Sequence, residues 1–139
     1  MYLVDTNVWS ALRRPDTAPP ALVSWAGRVE SADMYISAVS VFELELGVRR
    51  RERQDPIQGE ILRTWLNRRL LPRFRERILA IDATVATRCA TLHIPEPRPE
   101  RDSFIAATAL IHQLIVVTRN VRDFEPMGVR LLNPWDIAP

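Results

Sequence analysis

Leu114-Ile115-Val116-Val117-Thr118 is the most strand-like stretch of the chain, and what stands before it decides the fold. A short apolar run rich in β-branched residues has no polar face to offer water, so it reads as a strand covered on both sides. It follows directly on Glu100 to Gln113, whose pattern is helical. Working back toward the N-terminus, the alternation continues. Ala83 to Leu92 is helical and is cut off from Glu100 by the proline-rich Ile94-Pro95-Glu96-Pro97-Arg98-Pro99, which cannot continue a helix. Ile78-Leu79-Ala80-Ile81 is a strand. Ile57 to Leu71 is amphipathic, with Ile61, Leu62, Trp65, Leu66 and Leu70 on one stripe, and Arg51 to Pro56 before it reads as a charged turn.

Met34-Tyr35-Ile36 is a further strand, after which Ser37 or Ser40 can cap a helix running through Val41, Phe42, Leu44, Leu46 and Val48. Ala21 to Val29 and Asn7 to Leu12 are helical on either side of the break at Pro15 to Pro20, and Tyr2-Leu3-Val4 is a buried strand at the start. Beyond Thr118 only Val129-Arg130-Leu131-Leu132 reads as a strand. Strands alternating with helices predict an α/β fold with a parallel sheet covered on both faces.

With 139 residues, 47% hydrophobic and 26% charged, the chain fits one domain whose core needs neither disulfide nor partner. Cys89 is the only cysteine and reads as a small buried filler. No basic segment followed by a long apolar one opens the chain, so a cytoplasmic address is expected. Ile105 to Val117, the most apolar region, is too short and too polar to span a bilayer. The net charge is only +2, yet all 19 basic residues are arginine. They bunch at Arg49, Arg50, Arg51 and Arg53, and again at Arg68, Arg69, Arg73, Arg75 and Arg77. Such clusters suit nucleic acid or an acidic partner, or else complement a helix dipole and solvate a face.

Ligands of an open parallel sheet collect outside the carboxyl ends of its strands. Four acids are candidates for that edge: Asp5 at the end of the first strand, Glu43 in the first turns after Ile36, Asp102 opening the helix before Leu114, and Asp123 just beyond Thr118. Each has a plainer reading. Asp5, Thr6 and Asn7 are types that end strands and cap helices. Glu43 stands three residues after Ser40, the spacing of a capping box. Asp102 can complement a helix dipole, and Asp123 can stabilise a turn after Asn120. As a group, however, clustered carboxylates repel one another unless neutralised, and they normally hold a hard cation. With no cysteine or histidine cluster, the oxygen-only donor set favours Mg²⁺ or Mn²⁺ over zinc. His93 and His112, in helical stretches, read as structural.

Val4-Asp5-Thr6-Asn7, Ile36 to Leu44, Asp102 to Ala109 and Val117 to Phe124 together resemble, in order and spacing, the four signature segments of PIN-domain nucleases. Leu132-Asn133-Pro134-Trp135 also resembles the tail of the VapC and FitB-like toxins of type II toxin–antitoxin systems, so the likeness covers essentially the whole chain. The resemblance implies one PIN domain over residues 1–139, a three-layer α/β/α sandwich whose central, mainly parallel sheet has four to five strands. It implies that Asp5, Glu43, Asp102 and Asp123 bind one or two Mg²⁺ or Mn²⁺ ions, directly or through water. Thr6, Asn7, Ser40, Thr118 and Asn120 would orient the carboxylates, waters or scissile phosphate.

The implied activity is endonucleolytic RNA cleavage to 5′-phosphate and 3′-hydroxyl ends. The implied partners are RNA, a second copy in a homodimer, and a VapB/FitA-like antitoxin that assembles with it into a higher-order complex, with no membrane role. The helices around Val41 to Leu46 and Ile57 to Leu70 are the candidates for the antitoxin groove. Arginines near the acids would hold RNA, and Trp9 or Trp65 would either stack on bases or belong to the core. The main alternative is a catalytically inactive PIN-fold module that only binds protein or RNA. A haloacid-dehalogenase-type phosphohydrolase needs a second acid two positions after Asp5, where this chain has Asn7.

Overall fold

The computed structural model describes residues 1–138. Its centre is a fully parallel five-stranded sheet: β1 (Tyr2–Val4), β2 (Met34–Ser37), β3 (Ile78–Leu79), β4 (Ile115–Val117) and β5 (Leu131–Leu132), in the order β3-β2-β1-β4-β5. Central β1 pairs Leu3 with Tyr35 of β2 and with Val116 of β4. Successive side chains of a strand point to opposite faces. Val4 and Val117 accordingly enter one apolar cluster, with Val8, Trp9, Leu22, Trp25, Leu44, Leu66 and Phe74, while Leu3 and Val116 enter the other, with Ile105, Ala106, Phe124 and Met127. The result is the expected three-layer sandwich.

One outer layer is built from α1 (Thr6–Leu12), α2 (Pro20–Arg28), α3 (Ala38–Gln54) and α4 (Pro56–Thr64), a π-helical stretch Trp65–Leu70 and the single turn α5 (Leu71–Arg73). The other contains α6 (Ala83–Leu92), α7 (Glu100–His112) and α8 (Val121–Phe124). Cys89 is buried between α6 and α7 beside Val85 and Ala107, which is where a filler would sit. Among the described residues no helix is long and apolar enough to cross a membrane.

Several boundaries differ from the expectation, for local reasons. The charged turn at Arg51 to Pro56 contracts to Asp55, because α3 runs on to Gln54. Arginines are good helix formers and favour the negative end of the dipole. Asp55 then ends α3 and caps α4 in one step, accepting from the Gln58 N–H at 3.2 Å, with Pro56 in the first helical position. The third strand stops at Leu79 rather than Ile81, and the last one starts at Leu131 rather than Val129. Edge strands pair on one side only, so their apolar neighbours need not stay in the ladder. The short α8 and the 3₁₀ turn Glu125–Met127 fall where the sequence pattern predicts no element.

Candidate active site

Going along the sheet, the chain leaves β1 for β2 on one side and returns to β4 on the other, so the strand order reverses between β1 and β4. That switch point leaves a crevice at the carboxyl ends, the usual ligand position. Asp5 and Thr118 flank it. Asp5 is 5% exposed, and all its contacts come from close by: Oδ1 accepts from the Thr6 N–H at 2.8 Å, and Oδ2 from the Thr118 hydroxyl at 2.8 Å and the Asn7 amide at 3.3 Å. Burial pushes this carboxyl above its usual range, the Thr118 and Thr6 hydrogen bonds oppose that, and the Glu43 charge adds to it. The capping role of Asp5 is therefore real, and it engages only one of the two oxygens.

Asn7 ties two segments together. Its amide nitrogen also reaches Thr118 Oγ1 at 3.2 Å, and its carbonyl accepts from the Arg119 backbone at 3.3 Å. Thr118 is fully buried and accepts in turn from the Asn120 N–H at 3.0 Å. Asn120 thus reaches this set through its backbone; its side chain does not cap α8.

Glu43 is not half of a capping box. Ser37, not Ser40, caps α3, its hydroxyl accepting from the Val39 N–H at 3.0 Å. Glu43 Oε1 instead accepts from the Thr6 hydroxyl at 2.7 Å, and Oε2 lies 3.6 Å from Arg101. Ser40 is fully buried, one helical step from Glu43, and its hydroxyl has no partner among the described residues.

Asp102 stands in the uncapped first turn of α7, where the dipole also favours an acid. Its carboxyl is nevertheless pushed up to about 6, chiefly by burial and then by the charges of Asp5, Asp123 and Glu43. Asp102 therefore feels carboxylates from three other segments. Asp123, on exposed α8, is the outermost.

The donors at this edge are all oxygens, as a hard cation requires. Among the described residues no three Asp, Glu, His or Cys side chains close on a single ligating point as they stand. A cation here would touch one or two carboxylates and reach the others through water, which is the habit of Mg²⁺. The unpartnered Ser40 hydroxyl and the mutual repulsion of the acids both fit such a guest.

Other expectations resolve differently. Trp9 is core, 5.0 Å from the Phe74 ring, while Trp65 is half-buried. Arg49, Arg50, Arg51 and Arg53 are exposed on the last turns of α3. Arg73 and Arg77 instead lie over Phe74, and Arg77 donates to the Met34 carbonyl. His93 just follows α6, and its Nε2 lies 2.8 Å from the buried Ser103 hydroxyl, which also accepts from Cys89 at 3.2 Å. Arg101, the cation beside Glu43, was not singled out from the sequence, although it immediately precedes Asp102.

The chain matches the PIN domain family over residues 2–128. It is 35% identical over 140 residues to toxin FitB of Neisseria gonorrhoeae, covering 97% of this chain and 99% of the relative. It is 31% identical over 152 residues to VapC ribonuclease Y4jK of Sinorhizobium fredii, covering 99% and 100%. The crystal structure of FitAcB from Neisseria gonorrhoeae superposes with a TM-score of 0.90 at 34% identity, covering 99% of this chain and 100% of that one. With the family match spanning nearly the whole sheet and these relatives aligned end to end, the chain belongs to the PIN-domain family.

Proposed function

We propose that this protein is the toxin of a type II toxin–antitoxin pair and acts as a Mg²⁺- or Mn²⁺-dependent endoribonuclease leaving 5′-phosphate and 3′-hydroxyl ends. The observation that carries the reading is the gathering of acids from separate segments at one sheet edge: Thr6 donates to both Asp5 and Glu43, and Asp102 is disfavoured as a charge by burial and by Asp5, Asp123 and Glu43. A module that only bound RNA would gain nothing from negative charge gathered where phosphate must approach. The relatives named toxin and ribonuclease support the same reading.

When bound, the divalent ion would activate water and offset the charge that builds on phosphorus and on the leaving 3′-oxygen. Asp5, Glu43, Asp102 and Asp123 would hold it. Thr6 orients two of them at once, its backbone donating to Asp5 and its hydroxyl to Glu43. Asn7 and Thr118 occupy the second Asp5 oxygen, leaving one lone pair of the first, Oδ1, for the ion.

A groove lies beside the acids. Thr6, Glu43, Leu44, Arg51, Leu62 and Trp65 line a cleft of about 240 Å³. A second of about 390 Å³ continues past Arg13 and Trp65 to the exposed Ile57 and Ile61. We assign it to the C-terminal segment of a VapB/FitA-like antitoxin, which would bring a basic side chain to the acids. Purified protein is expected to cut RNA only with Mg²⁺ or Mn²⁺. Asp5→Asn should abolish cutting, by more than about a hundredfold, while barely moving Tm. Wild-type activity in that variant would overturn the assignment.

A further inference from the structure

Two arginines near the four acids lie over aromatic rings. On the β2 side, the Arg101 guanidinium carbon is 5.0 Å from the Phe42 ring centroid. On the β5 side, that of Arg119 is 5.5 Å from the Trp135 ring centroid. The strand order fixes these sides: Phe42 follows β2, Asp5 closes β1, Arg119 follows β4 and Trp135 follows β5. The two arginine–aromatic pairs thus involve the segments that follow β2 and β5, strands three interstrand spacings, roughly 14 Å, apart in the sheet, with β1 and β4 between them.

The Phe42 pair is not accounted for by packing or by its ion pair. Phe42 is 53% exposed, and Arg101 is 52% exposed. The separation of Arg101 from Glu43, 3.6 Å, is longer than a charge-assisted hydrogen bond of about 2.8 Å. The guanidinium is therefore shared between the ring and the carboxylate. Arg119 is likewise exposed, and the bond from its backbone to Asn7 fixes it beside the acidic set.

An RNA whose scissile phosphate sits at the acids must lead its two neighbouring nucleotides outward along this edge. Unpaired bases stack on aromatic rings and guanidinium planes, whereas paired bases have no free faces. Resting on the nuclease reading above, we propose that Phe42–Arg101 and Trp135–Arg119 are stacking platforms for the nucleotides on either side of the cleaved bond. Arginine suits the place twice over, since the same group stacks on a base and neutralises a phosphate.

The test is fluorescence anisotropy of a labelled single-stranded RNA in Ca²⁺, alongside steady-state cleavage in Mg²⁺. Phe42→Leu keeps apolar bulk but removes the ring, and should raise Kd and KM about tenfold with kcat changed by less than about threefold. Phe42→Trp should restore both. Trp135 also packs on the core, so its platform is tested by Arg119→Gln, which should raise Kd without lowering Tm. A fully abasic strand of the same length, which can stack on neither platform, should bind wild type more weakly than RNA binds Phe42→Leu, with no further loss in that variant.

Wild-type affinity in both Phe42→Leu and Arg119→Gln, or undiminished binding of the abasic strand, overturns the proposal. So does Phe42→Leu that keeps RNA affinity but weakens binding of the antitoxin. If wild type binds RNA in Ca²⁺ but never cuts it, the nuclease reading fails by itself and the anisotropy still decides the platforms.

Discussion

Asp102 is held in an environment that disfavours its own charge, through burial and through three neighbouring acids. In the unfolded chain its carboxyl returns to its ordinary value of 3.8, against about 6 when folded. Between those values the folded state binds the extra proton, so the ion-free protein should gain stability as pH falls from 7 toward 5. The penalty is full above the folded value and gone below the unfolded one. Asp102→Asn should remove this dependence and raise Tm at pH 7 by a few degrees in EDTA. Differential scanning fluorimetry of the two proteins across that pH range checks it; parallel curves would deny the repulsion.

The individual acids were legible in the sequence, because carboxylates at strand ends and helix starts are visible as such. Their hydrogen-bond partners were not. Thr6 serves Glu43, and Ser37 rather than Ser40 caps α3, because the turn after β2 closes one residue after Ile36. Nothing in a linear pattern ranks two serines three residues apart.

Among the elements, the α3–α4 hairpin is the most tightly specified. Gly59 is buried where the two helices meet, and a Cβ there would lie 2.8 Å from the Glu52 backbone nitrogen. Alanine ordinarily stabilises a helix relative to glycine by about 1 kcal/mol. Here the obstacle is backbone, which cannot swing aside, so Gly59→Ala should instead destabilise by about 1–3 kcal/mol. Chemical denaturation would show a lowered midpoint; an unchanged or raised one would mean the helices slide apart at little cost. Arg63 staples the same pair, with its two terminal nitrogens 2.6 and 2.8 Å from the Glu45 carboxylate and a contact to Glu52 at 3.0 Å. The Arg63 hydrogen bonds hold Glu45 below its usual range. Element types were readable from periodicity and caps. The π-helical stretch at Trp65–Leu70 was not, since it continues the same apolar stripe with one extra residue per turn.

At the scale of the whole molecule, the cation proposed for the acidic edge would make stability depend on divalent ion. An ion that binds only the folded state at about a hundred times its Kd contributes about 2.7 kcal/mol. Mg²⁺ or Mn²⁺ should accordingly raise the wild-type Tm by several degrees, and Asp5→Asn should lose most of that rise. A shift of equal size in the variant would locate the ion elsewhere.

The amino-acid sequence determined the alternation of strand and helix, and therefore a sheet covered on both sides with its loops at the carboxyl ends, because periodicity and chain breaks are local properties. It also placed four acids at the starts of helices and the ends of strands. Only the tertiary structure decided that those ends meet at the β1–β4 switch point, that Trp9 is core, and that Arg101 and Arg119 lie over Phe42 and Trp135. Strand order and side-chain pairing between distant segments are set by which apolar faces pack together, a global balance that no window of sequence contains.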